Sequence, residues 1–182
     1  MKNVFKAFGF VLLLSIISCN NKVIPLQHAY QDKPYQFATS STKEQVWNKL
    51  IDLFTSKGLA IKTIDKNDGL MTTDNSTFLN LYTWENKDGG LTNPNALVVC
   101  SKVRGPFTFA ASLKPDDITG QWTVRTKQES NRTLVDIRLA NASGKVVVEN
   151  SSAYGQVATR ETHNLIVEST GVFEKSIEEA LK

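Results

Sequence analysis

The stretch STKEQVWNKLIDLFTSKGLAIKTIDKNDGLMTT, residues 41–73, decides the fold. Ser41-Thr42-Lys43-Glu44 has the form of a capping box, in which the serine and glutamate side chains satisfy exposed amides at a helix start. Val46, Trp47, Leu50, Ile51 and Phe54 then recur at helical spacing, and Gly58 supplies a left-handed stop. The spacing predicts a helix over residues 42–57. Leu59 to Ile64 follows as a strand, Asn67-Asp68-Gly69 brings hairpin turn chemistry, and Leu70-Met71-Thr72-Thr73 returns. A capped helix running straight into a hairpin is the opening of an α+β chain. It lacks the βαβαβ rhythm of a nucleotide-binding doubly wound sheet.

Upstream, Tyr35-Gln36-Phe37-Ala38-Thr39 reads as a strand. Downstream, Asn86-Lys87-Asp88-Gly89-Gly90 is a turn, and strands are expected at Ala96 to Val103, Phe107 to Ala111 and Ile118 to Gln128. Ser130-Asn131-Arg132 turns the chain into an alternating strand, Thr133 to Ala140. Ser143-Gly144 leads to a short Val146 to Val148 segment, and Glu149 to Gly155 reads as a loop. Ile166, Thr170, Phe173, Ile177 and Leu181 form an apolar stripe flanked by Leu165 and Val172, so the chain is expected to end in a long helix. The expected fold class is α+β, an antiparallel sheet with two helices packed on one face.

The first eighteen residues stand apart. Met1 to Lys6 is basic, and Phe8 to Ile17 is apolar apart from Gly9 and Ser15, which is the pattern of an export signal. The whole chain has 182 residues and a formal charge of +3; without residues 1–18 it keeps 19 basic residues against 18 acidic ones. That balance gives no electrostatic ground for nucleic-acid binding. With 41% hydrophobic and 21% charged residues, the chain is an ordinary globular one, which excludes a disordered or multi-pass membrane protein.

Ile16-Ile17-Ser18-Cys19 resembles the bacterial lipobox. The resemblance implies that Cys19 receives a thioether-linked diacylglycerol and becomes the first mature residue, with the bilayer as its partner. Each buried acyl methylene contributes about 0.8 kcal/mol, so two or three chains anchor durably. Asn20 is not the aspartate that resembles an inner-membrane retention signal. The implied location is therefore the outer membrane, facing the periplasm. Residues 20–34 hold Pro25 and Pro34 and no sustained periodicity, and read as a tether spanning about 20 Å as a flexible coil. With Cys19 acylated, Cys100 is left as a buried, unpaired thiol.

Two stretches resemble the BamC-type helix-grip domains of bacterial outer-membrane lipoproteins: Ser41 to Thr73, and Glu168-Ser169-Thr170-Gly171-Val172-Phe173-Glu174. The resemblance implies a sheet gripping a long C-terminal helix and a non-catalytic assembly role. The expected organisation is a signal peptide over residues 1–18, a lipidated cysteine and flexible tether over 19–34, and a single helix-grip-like α+β domain over 35–182.

Residues able to carry catalysis are scarce. The only histidines are His28, in the tether, and His163, near the expected final helix. No nucleophile–base motif, phosphate-binding loop or paired metal-ligand spacing occurs. Asp65 with Asp68, and Asp116 with Asp117, could bind calcium or serve a glycosidase, but adjacent acids more often make a loop or helix cap, and turn geometry alone explains Asp68-Gly69. The expectation is no enzyme, no cofactor and no metal site. Candidate contacts for an envelope protein partner or a ligand are Phe78, Tyr82 and Trp84, which could share one strand face, and the pairs Lys102/Arg104 and Arg125/Lys127. A core face is the favoured account of the aromatics, and a solvated sheet face that of the charges. Two functions follow. One is a membrane-anchored interaction or scaffold module. The other is a carrier whose Leu165, Ile166, Phe173 and Ile177 line a cavity for a small apolar ligand.

Overall fold

The capping box forms one residue later than the sequence pattern suggests. In the computed structural model, which describes residues 21–31, 33–104, 112–151 and 157–182, Thr42 caps helix α1 (Lys43–Ser56). Thr42 Oγ1 accepts from the Gln45 amide at 3.3 Å, and Gln45 Oε1 accepts from the Thr42 amide at 2.9 Å. Ser41 is already committed: its amide donates to Thr39 Oγ1 at 3.2 Å and its carbonyl accepts from Thr133 Oγ1 at 2.7 Å. The helix therefore starts where the strand's hydrogen bonds end. Val46, Trp47, Leu50 and Phe54 form its buried face, and Gly58 closes it at φ +68.

Strands β3 (Ile61–Asp65) and β4 (Leu70–Thr73) form the expected hairpin. Asp65 Oδ1 accepts the Asn67 and Asp68 amides at 2.9 and 3.0 Å, so this carboxylate builds the turn. Gly69 has φ +69, and a Cβ there would collide with the Thr126 backbone. The tip of the hairpin is thus pressed onto strand β9 (Asp117–Glu129).

The sheet's trunk is β9 paired with β10 (Arg132–Ser151) through a turn at Ser130, φ 42. Strand order is β11-β10-β9-β4-β3, with β2 (Tyr35–Thr39) also on β10 and β5 (Ser76–Thr77) on β9; β11 is Val157–Leu165. The strand expected to stop at Ala140 continues instead to Ser151, so Glu149 to Ser151 is strand and not loop. Asn141 takes φ 51 and the register shifts between Ala140 and Ser143, a bulge that bends β10 without ending it. The first half of β10 then serves β2, and the second half serves β11.

The expected strand over 96–103 is two. β7 (Val98–Cys100) joins a three-stranded sheet with β6 (Tyr82–Thr83, parallel) and β12 (Val167–Ser169, antiparallel). β8 (Lys102–Arg104) pairs instead with β1 (Lys22–Ile24). Ser101 is the corner: its amide donates to the Ile166 carbonyl at 2.9 Å, and its Oγ accepts the Ile166 amide at 2.9 Å. The weak strand expected over 107–111 lies outside the described residues.

The final helix is shorter than the apolar stripe predicts. α2 spans only Val172–Leu181, capped by Gly171 at φ +83, and Leu165 to Ser169 is extended. Val167 and Ser169 are buried with Glu168 between them, a period of two that wins over the helical spacing of Ile166 and Thr170. Both helices meet the sheet through one aromatic stack: Phe173 lies 4.4 Å from Trp122 and 5.8 Å from Phe54, centroid to centroid. Among the described residues the fold is α+β, with mostly antiparallel strands and two helices.

Candidate functional site

The residues expected to form a free tether are docked over 21–31. β1 lies antiparallel on β8, with Val23 opposite Val103 and packed on the core. Pro25 then ends the strand, and Gln27 to Tyr30 crosses Glu85. Glu85 is only 5% exposed. It accepts the Gln27 amide at 2.6 Å, the His28 amide at 3.2 Å, His28 Nδ1 at 3.0 Å and the Tyr30 hydroxyl at 2.8 Å. Lys102 Nζ donates to the Glu85 carbonyl, and Glu168 Oε2 accepts the Tyr30 amide at 2.8 Å. A buried carboxylate with this many donors is a strong local tie. Burial pushes the Glu85 carboxyl up, but the bonds from Gln27, Tyr30 and His28 more than offset it and hold the group below its ordinary value. Burial and the same carboxylate push the Tyr30 phenol up to about 12. Gly89, at φ +81, leaves the space that the His28 ring occupies.

Beside this node lies a cleft of about 230 Å³ walled by Ile24, Leu26, Lys87, Lys102 and Arg104. Lys22 stands directly opposite Arg104 in the β1–β8 register, and both are exposed. Neither has a carboxylate within ion-pair distance among the described residues. The sequence hid this site because its parts are separated by more than fifty positions, and a single glutamate before a turn carries no pairing signal.

The sequence-predicted contacts fall in different places. Phe78 is fully buried, edge-on to Trp122 at 6.4 Å, and packs on Gly120, where an added Cβ would come within 3.2 Å of the Phe78 ring and of Leu139. It is a core residue, not a partner contact. Tyr82 and Trp84 are half-buried and pack edge to face at 5.4 Å, away from Phe78's position. Arg104 and Arg125 sit on strands of different sheets, so the two basic pairs form no common strip. Arg125 stands opposite Asp136, and Lys127 lies 3.4 Å from Glu129, which makes that stretch a mixed-charge outer face. Cys19 and residues 1–18, expected to be an export signal, lie outside the described residues.

The aspartates, histidine and cysteine weighed from the sequence for metal binding or catalysis have structural contacts. Asp116 Oδ2 accepts the Val147 amide at 2.6 Å, and Asp117 lies 3.7 Å from Lys145. His163 belongs to β11, not to the final helix, with Nε2 3.5 Å from Glu161. The Cys100 thiol donates to the Thr83 carbonyl at 3.7 Å, and burial pushes it up to about 12. A thiol so placed is not a nucleophile at neutral pH. The four residues named for an apolar cavity do not converge on one: Phe173 and Ile177 are fully buried in the core, Leu165 is 7% exposed, and Ile166 points outward at 47% exposure. Among the described residues, no helix is long and apolar enough to cross a membrane. No protein-family model and no curated protein matches the chain.

Proposed function

We propose that the chain is an outer-membrane lipoprotein, acylated at Cys19 and facing the periplasm, whose α+β domain is a non-catalytic interaction or scaffold module. One observation carries the reading. Docking leaves only Asn20 between Cys19 and Asn21, whose side chain donates to Glu161 Oε2 at 3.1 Å just ahead of the β1–β8 pairing that starts at Lys22. An acylated Cys19 then holds the domain within about 10 Å of the lipid, in one orientation. Such a mount suits a module that presents a fixed surface to a neighbour in the envelope.

A helix-grip-like packing, with the sheet closed on α2, belongs to the same reading. The fully buried Phe173, Ile177 and Leu181 support it, as does the stack of Phe173 on Trp122. That filling leaves the cleft beside Glu85 as the recess of interest, and its charged wall does not suit an apolar cargo.

The test is an intact-mass measurement on protein from its native membrane, beside Cys19→Ala. The expected mass is that of residues 19–182 plus acyl groups, lost in the variant. Crosslinking in the envelope should then capture a discrete protein partner. An unacylated mature mass overturns the anchored-module reading.

A further inference from the structure

We infer that the β1–β8 corner, with Lys22, Lys102 and Arg104, is the face of the domain that lies against the bilayer and takes the phosphates of anionic phospholipids. The inference rests on acylation at Cys19 and adds to it an orientation and a headgroup preference.

Three observations converge. First, Lys22 and Arg104 are directly opposite one another on a ribbon of three residues per strand. Like charges in that position repel, and a two-stranded ribbon this short has little stability to spare. No carboxylate among the described residues neutralises either one, so an external anion is the natural counter-charge. Second, Lys87, Lys102 and Arg104 line the adjoining cleft, while the one acid there, Glu85, has its carboxylate filled by donors from Gln27, His28 and Tyr30. The cleft therefore keeps a net positive wall. Third, Lys22 is three residues from Cys19, a reach of about 10 Å, which is the depth of the headgroup layer from a thioether anchored at the surface. The other basic stretch, at Arg125 and Lys127, is on another sheet and already faces Asp136 and Glu129.

The experiment uses full-length protein purified from its membrane, with acylation established on the same sample by intact mass. The protein is reconstituted into vesicles of phosphatidylcholine alone and of phosphatidylcholine with phosphatidylglycerol. Amide hydrogen exchange is followed at Ile24 and Lys102, a pair opposite one another in the β1–β8 ribbon. In the anionic vesicles these amides should exchange about tenfold more slowly than in the neutral ones, the gain falling with added salt. K22Q/R104Q should abolish the gain, and R125Q should keep it. K22Q/R104Q should also exchange no faster than the natural chain in neutral vesicles, because it removes a repulsion, so loss of folding cannot mimic the result. An acylated protein with equal exchange in both vesicles, or a gain that survives K22Q/R104Q, overturns the inference alone. An unacylated mass overturns it together with the reading beneath it.

Discussion

Tyr30 and Glu85 stand 55 residues apart in the chain, and the phenol donates to the carboxylate at 2.8 Å. With the Gln27 and His28 bonds to the same group, this contact turns a proline-bounded leader into part of the domain. The β1–β8 ribbon and the Glu85 node are two halves of one attachment. The ribbon supplies backbone pairing and the Val23–Val103 contact, and the node supplies charge.

Glu85→Gln should release residues 22–30. A glutamine keeps one acceptor oxygen but places an NH₂ against the donors that reach the other. Hydrogen bonds to a charged group contribute about 1.5–3 kcal/mol, so local opening should become roughly tenfold or more frequent. Amide exchange at Ile24 and Lys102 reads this directly, while the amides of β9 and β10 should stay protected.

The same attachment should depend on pH at both ends. The folded Glu85 carboxyl titrates below its ordinary value of 4.5. Its contribution is therefore complete above pH 4.5 and is lost as pH falls through the lower folded value. The Tyr30 phenol is raised from 10.0 to about 12, so its contribution is complete below pH 10 and is lost as pH rises through about 12. Backbone NMR signals of residues 22–30 should hold their docked positions between these limits. A segment that stays docked well below the folded carboxyl's titration contradicts the assignment of Glu85 as its main tie.

Glu174 should behave in the opposite sense. It is 2% exposed, its Oε2 has no hydrogen-bond partner among the described residues, and burial pushes its carboxyl up. A raised folded value means that stability is fullest below 4.5 and declines as pH rises through the folded titration. Glu174→Gln should raise stability at pH 7 by about 1 kcal/mol, since it removes a buried charge. Urea midpoints at pH 7 and at pH 4 check it; the gain should shrink at the lower pH.

Phe173→Ala should destabilise by about 3–5 kcal/mol, the usual cost of emptying an aromatic site in a closed core. The ring bridges Phe54 and Trp122, so α1, α2 and the sheet all lose a contact. Thermal unfolding measures the loss. A near-neutral result would mean that the space between helix and sheet is looser than described and would revive a ligand-binding role.

What could be read from the chain was what is local. α1 and the β3–β4 hairpin depend on a cap, a glycine at φ +68 and a turn glycine, all within residues 41–73. The β9–β10 hairpin is equally local. The bulge at Asn141 was hidden because Ser143-Gly144 carries the same letters as a loop, and pairing with β9 through Lys145 and with β11 from Gly144 keeps the strand going. The start of α2 was misplaced because Ile166 and Thr170 fit two periods at once, and burial of Val167 and Ser169 decides between them. Phe78 needed Gly120, forty-two residues later, to show that it belongs to the core. The candidate site was the least legible, because Lys22 meets Arg104, and Tyr30 meets Glu85, only after the whole sheet is assembled.

The docked leader also sets how the molecule carries load. Tension applied ahead of Lys22 enters at the β1–β8 pair and then at Glu85, before it reaches β2 and the trunk of the sheet. These ties fail in series, and freeing residues 22–33 releases a segment whose full contour length is about 40 Å. The segment is a mechanical fuse: it stays docked under small forces and lengthens under large ones, sparing β9 and β10 from being pulled open.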